Sequence, residues 1–286
     1  MSTAQERGKL IFQKMERDLL KLSSTLEADN VHRFRTTTRR LQTLLEHLVP
    51  NDGRHQKKLL KMLNRIRRRA GKIRDIDVQL GALRSLKVAQ EPRRKTQLVQ
   101  SLLEVRAQHE EKLAKLLKKS DIHEMQKKLR RAAKATDLES LRDPLMVAKD
   151  ILRSATPADG PVSEETLHQC RLAVKRARYA AEFSTNTAQT RKFISQLQGV
   201  QDVLGTWHDW MTLTDTAVQH FGEVNQSSLV AVLHNVTRGK FRNAVAAISH
   251  LHSDKVSPVS EAAEVDATRK SRRTARSSGD RVATAA

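Results

Sequence analysis

The stretch Val31 to Leu48, V-H-R-F-R-T-T-T-R-R-L-Q-T-L-L-E-H-L, constrains this chain more than any other. At about 100° per residue, Val31, Phe34, Leu41, Leu45 and Leu48 gather on one side of a helix. His32, Arg35 and Arg39, spaced three and four apart, fall on nearly the opposite side. Such a helix seats one face in a core and holds out a row of cations. The pattern returns 136 residues later in Leu167 to Arg178, L-H-Q-C-R-L-A-V-K-R-A-R. There His168, Arg171, Lys175 and Arg176 take the places of His32, Arg35, Arg39 and Arg40. A second match pairs Leu63, Ile66, Gly71 and Asp75 with Leu197, Val200, Gly205 and Asp209, at an offset of 134. Two matched segments in the same order predict a duplicated architecture.

The rest of the chain reads as helix almost throughout, because Leu, Ala, Gln, Lys and Arg dominate and period-two alternation is absent. Prolines 50, 92, 144, 157, 161 and 258 lie where the apolar spacing pauses. The expected helices run over about 5–26, with Leu10, Met15, Leu19, Leu22 and Leu26 inward, then 31–48, 54–87 and 92–118. Asp29 or Asn30 is the expected cap of the first basic helix. A linking segment over about 120–143, helical but irregular, leads to helices over 144–152, 163–178, 188–221 and 223–251. The fold class is therefore all-α: two four-helix units per chain, matching halves packed around a pseudo-two-fold axis, over residues 5–252. Repeat one covers about 5–119 and repeat two about 144–252; residues 253–286, without apolar spacing, read as a disordered basic tail.

Charge decides the class of partner. The 53 Lys and Arg outweigh 32 Asp and Glu, a net +21. From Asp254 onward there are seven basic and five acidic residues, so +19 stays on the body of the chain. Between Arg54 and Arg74 stand ten Lys or Arg and no acid. A solvated helix face ordinarily mixes signs, so this one calls for a polyanionic partner. Six Phe, two Trp and one Tyr leave little for stacking nucleobases. With Cys170 as sole cysteine, no internal disulfide and no all-cysteine zinc site can form, which fits a reducing cytoplasm. The N-terminus lacks the apolar run of a signal peptide, and no stretch approaches the roughly 20 apolar residues of a membrane span.

H-x-x-R-x-x-x-[RK]-R occurring twice, each copy followed by an [AL]-G-x-x-x-D element (Ala70 to Asp75, Leu204 to Asp209), resembles the CHAD family, the conserved histidine α-helical domain. The resemblance covers about residues 5–252. It implies a helical fold of two four-helix repeats with a basic central channel, binding of inorganic polyphosphate, and recruitment to polyphosphate granules in the cytoplasm. On matching positions the implied ligands are His32, Arg35, Arg39, Arg40, His168, Arg171, Lys175, Arg176 and Arg178. The row Arg65, Arg68, Arg69, Lys72 and Arg74 is expected to join them. The second half departs from this, with Gln201, Asp202 and Thr206 where the first has Arg67, Arg68 and Lys72, so the first half should dominate the charge. The E-x-E-x-K mark of a fused triphosphatase is absent.

Neither His32 nor His168 has a second ligand-type residue at i+3 or i+4, so hydrogen bonding or phosphate contact is preferred over metal. Asp75 and Asp209 read as partners of arginines and not as catalytic carboxylates. Gly71 and Gly205, costly inside a helix, imply close helix–helix approach. Trp207, Trp210 and Tyr179 read as packing residues. No nucleophile, base and orienting group stand at usable spacing, so neither catalysis nor a cofactor is expected. A nucleic-acid-binding or nucleoid-associated protein is the alternative, since the same cations would suit a duplex.

Overall fold

The computed structural model describes residues 3–50, 53–87, 92–155, 162–222 and 227–256; among these there is no strand. The helices are α1 (Thr3–Ser24), α2 (Ala28–Thr43), continued by a π-helical turn (Leu44–Leu48), α3 (Arg54–Ser85), α4 (Pro92–Ala114) and α5 (Lys119–Ala135). They continue as α6 (Pro144–Ala155), α7 (Glu164–Ala181), α8 (Ala188–Phe221) and α9 (Ser228–Val256). Pro92 and Pro144 open α4 and α6 at the position where a missing N–H costs nothing. Ser163 caps α7, its Oγ accepting from Thr166 N at 3.1 Å, with Glu164 and Glu165 in the first turn. Gly222, at φ 81°, ends α8.

The five apolar positions of the first basic helix are buried, at most 1% exposed. Its start differs from expectation. Glu27 takes the cap position without a side-chain bond, while Asn30 donates to Thr25 Oγ1 at 2.7 Å and Asp29 pairs with Arg33 at 2.7 Å. Leu10 is 56% exposed, and Ile11 and Phe12 turn inward instead. They sit four and three residues before Met15 on its stripe, whereas Leu10 falls on the opposite side.

Neighbours along the chain pack together: α1 on α2, α2 on α3, α3 on α4, then α6 on α7 and α7 on α8. Like helices also meet across the halves, α2 against α7 and α3 against α8. The segment 120–143, expected as an irregular helical linker, forms α5 over most of its length. Ile122, Met125, Leu129 and Ala132 give it a buried stripe against α1 and α3. Nor do the halves keep separate cores. Ile76, Leu80 and Leu83 of α3, Leu98 and Leu102 of α4, Leu213 and Ala217 of α8, and Leu229, Val230 and Leu233 of α9 make one cluster. Gln79 donates across it to Thr216 Oγ1 at 3.2 Å. The described residues up to Ala247 form one unit, and the end of α9, Ile248 to Val256, falls in a second. The expected disordered tail lies, beyond Val256, outside the described residues.

Candidate functional site

Packing α2 against α7 sets the two basic rows face to face and encloses a cavity of about 700 Å³. From α2 come His32, Arg35, Arg39 and Arg40; from α7 come Arg171, Lys175, Arg178 and Tyr179. The long helices supply one wall each, Arg74 and Asp75 from α3, and Gln201, Asp202, Gly205, Thr206 and Asp209 from α8. The first half contributes six Lys or Arg to this lining against three from the second, and one carboxylate against two. The uneven charge read from α8 therefore holds in the cavity. Sequence reasoning missed Lys14 of α1, which also reaches it.

The cations divide into two groups. Arg40 and Arg178 share one carboxylate. Both bind the Glu182 carboxylate, Arg40 through Nε at 2.6 Å and Arg178 through Nη1, while Arg178 Nε also donates to Gln201 Oε1 at 2.9 Å. Both lie over the ring of Tyr179, at 5.6 and 4.7 Å from its centroid. Tyr179 is thus more than packing. Burial works against the Arg40 charge, but the bond to Glu182 wins and holds its guanidinium above its ordinary range.

Arg35, Arg39, Arg171 and Lys175 are the crowded ones. Arg35 reaches one acid, Asp75 Oδ1, at 3.5 Å, with Ala70 O at 3.5 Å. Gly71 makes that reach possible, because a Cβ there would meet Arg35 Nη1 at 2.9 Å. The glycine admits a guanidinium where close helix–helix approach was expected. At Gly205 a Cβ would meet nothing within 4 Å, so the expected close approach is absent there too. The second copy is more open. Asp209 lies 3.8 Å from His208 Nδ1, and the buried Nε of Arg171 has no hydrogen-bond partner. Burial and then the other guanidiniums, against Asp209, lower the Arg171 pKa. Burial, Arg171 and Arg39 push the Lys175 ammonium down to about 7. His32 is lowered by burial, Arg74 and Arg35.

The remaining expected residues stand elsewhere. Arg65, Arg68, Arg69 and Lys72 are exposed and do not line the cavity. On α3 the cavity side carries Gly71, Arg74 and Val78. Lys72, one residue past Gly71, is turned about 100° away. His168 lies against His208, ring centroids 5.7 Å apart, and is lowered by burial, His208 and Arg171. Arg176 is exposed and faces a separate cavity. Trp207 is fully buried, edge-on to Phe241 at 6.2 Å, and Trp210 packs on the shared core. Among the described residues no group of three or more His, Cys, Asp or Glu is placed to hold a metal, and no helix is long and apolar enough to cross a membrane.

Duplicated basic helices facing each other in an all-α scaffold define the class of protein. The model of the CHAD domain matches residues 11–218, and the chain belongs to the CHAD domain family. Its fold is similar to "PptA from Streptomyces chartreusis", at TM-score 0.68 and 17% identity, covering 87% of this chain and 97% of that one. It is also similar to the crystal structure of the CHAD domain from the plant Ricinus communis, at TM-score 0.61 and 17% identity, covering 84% and 88%. Among curated proteins none matches.

Proposed function

We propose that this protein binds inorganic polyphosphate in the cavity between α2 and α7. The observation that carries the reading is the crowd of under-compensated cations there, above all the unpartnered, buried Nε of Arg171. An orphaned buried donor costs about 1–3 kcal/mol. An anionic oxygen would satisfy the donor and relieve the repulsion among Arg35, Arg39, Arg171 and Lys175 together. A phosphate chain offers a dense row of such oxygens and no bases to read, which suits Arg forks in fixed positions. Family membership supports the same ligand.

In this reading Arg35, Arg39, Arg74, Arg171 and Lys175 make the primary contacts, with His32 at the same cavity. Arg40 and Arg178 hold the cavity's frame through Glu182. The exposed row Arg65, Arg68, Arg69 and Lys72 draws the chain in at long range. The converging groups are mostly cations, and we read the protein as a binder without catalysis or cofactor. Recruitment to polyphosphate granules in the cytoplasm would follow. The exposed α3 row favours duplex nucleic acid as the second reading.

Salt titration of long-chain polyphosphate binding tests the proposal. R35A/R39A/R171A/K175A should lose most affinity and flatten the slope of log affinity against log salt; R65A/R68A/R69A/K72A, which removes as many basic residues, should lose much less. Equal losses would reduce the protein to a generic polycation. Duplex DNA that displaces polyphosphate at equal phosphate concentration would favour the second reading.

A further inference from the structure

Beside the first cavity lies a second, of about 290 Å³, and the two share Arg39, Lys175 and Tyr179 as a common wall. Its other charged side chains take no part in the first. The π-helical turn brings Glu46 and His47, α3 brings Arg67, and α7 brings Arg176. The π turn is essential to that placement. Val49 N donates to Leu44 O at 3.0 Å, five residues back, and Leu44, Leu45 and Leu48 are all buried. The wider turn lets those three residues share the core while Glu46 and His47 reach the cavity wall.

Four cations line this space against one carboxylate, Glu46, which is held by Gln42 Nε2 at 2.9 Å. Arg67 Nε is spent on Asn64 Oδ1 at 2.9 Å, and among the described residues its terminal NH2 groups ion-pair with no carboxylate. Arg176 Nε donates to Leu172 O at 3.3 Å, its own helix. Arg39 and Lys175, in the shared wall, likewise have no carboxylate at ion-pairing distance among the described residues. Burial, Arg39, Arg35 and Arg68 push Arg67 down to about 10, a large displacement for a guanidinium. Burial, Arg176 and Arg142 lower His47, against Glu46.

We infer that the second cavity extends the first as a further phosphate subsite, and that one oligophosphate chain occupies both cavities by crossing Arg39 and Lys175. The inference rests on the polyphosphate reading and adds a length requirement to it. A short chain, seated in the larger cavity with Arg35, Arg74 and Arg171, never reaches Arg67, His47 or Arg176. A long chain engages all of them, so affinity steps up once the ligand spans the shared wall.

Tripolyphosphate and long-chain polyphosphate, titrated by calorimetry into the full chain, separate the outcomes. R67A/R176A should weaken the long chain at least tenfold and change tripolyphosphate less than twofold, whereas R35A/R171A should weaken both. Because Arg67 is half-buried, R176E serves as a second variant; Arg176 is exposed, so this change leaves the fold intact and should show the same length selectivity. Equal weakening of both ligands by R67A/R176A and R176E, or of neither, overturns the second subsite while leaving polyphosphate binding in place. A wild-type protein that binds neither ligand overturns the parent reading instead.

Discussion

If the cavity holds polyphosphate as proposed, Lys175 should make the affinity depend on pH in a window that no cavity histidine shares. It faces Arg35 and Arg39 from α2, Arg171 from its own helix and Asp209 from α8, and burial with the first three outweighs the carboxylate. With its pKa down at about 7, about nine in ten Lys175 side chains are neutral at pH 8 and about one in ten at pH 6. A phosphate chain laid against the ammonium restores the charge, so binding at pH 8 should take up about 0.9 proton. Affinity should then fall about tenfold per pH unit above 7, and about 100-fold between pH 6 and 9. His32, His47 and His168 are all lowered below 6.5 and titrate outside the window from 7 to 9. The internal phosphates of a long chain are strong acids and stay ionised throughout. The assay is calorimetric titration from pH 6 to 9 at constant ionic strength, in buffers of differing ionisation enthalpy to count protons. K175R should flatten the profile near its high-affinity level, and K175M should flatten it near the wild-type value at pH 9. A wild-type affinity that changes less than threefold between pH 7 and 9, or a K175R protein with the same slope, would refute the reasoning.

The same side chain bears on stability without ligand. Its folded pKa lies below the unfolded one, so unfolded chains bind more protons between pH 7 and about 10, and thermal melts should shift upward across that range. K175M should remove that rise and melt higher than wild type at pH 7. Gly205→Ala should raise Tm by about 2–4 °C, because the helix gains about 1 kcal/mol and the new Cβ meets nothing. Gly71→Ala gains the same propensity but displaces Arg35 from Asp75, so its melt should rise less and its polyphosphate binding should weaken. Glu182→Gln strips a shared carboxylate from Arg40 and Arg178, and denaturant unfolding should show a loss of about 2 kcal/mol, below the about 3–5 of a fully buried pair.

Most of the helical scaffold is legible in the residues alone, since helix periodicity reports which side chains share a face. Val31, Phe34, Leu41, Leu45 and Leu48 had to be buried together, and the duplication of His32, Arg35 and Arg39 in His168, Arg171 and Lys175 was open to inspection. Asp75 announced its arginine. Periodicity speaks only of a helix's own axis, however, and says nothing of what stands opposite each face. The ten cations of α3 wrap around the helix, and only its contacts with α2 and α8 decide that Arg74 faces the cavity while Arg65, Arg69 and Lys72 face solvent. The buried stripe of α5 hides in a segment dense with lysine and arginine, because long basic side chains flank it without belonging to it. The π turn leaves no mark a 3.6-residue period would register. Least legible is the state of Lys175. Its lowered pKa arises from burial and from guanidiniums on two helices far apart in the chain, and charge–charge energies depend on distances and solvent exclusion that exist only after those helices have packed.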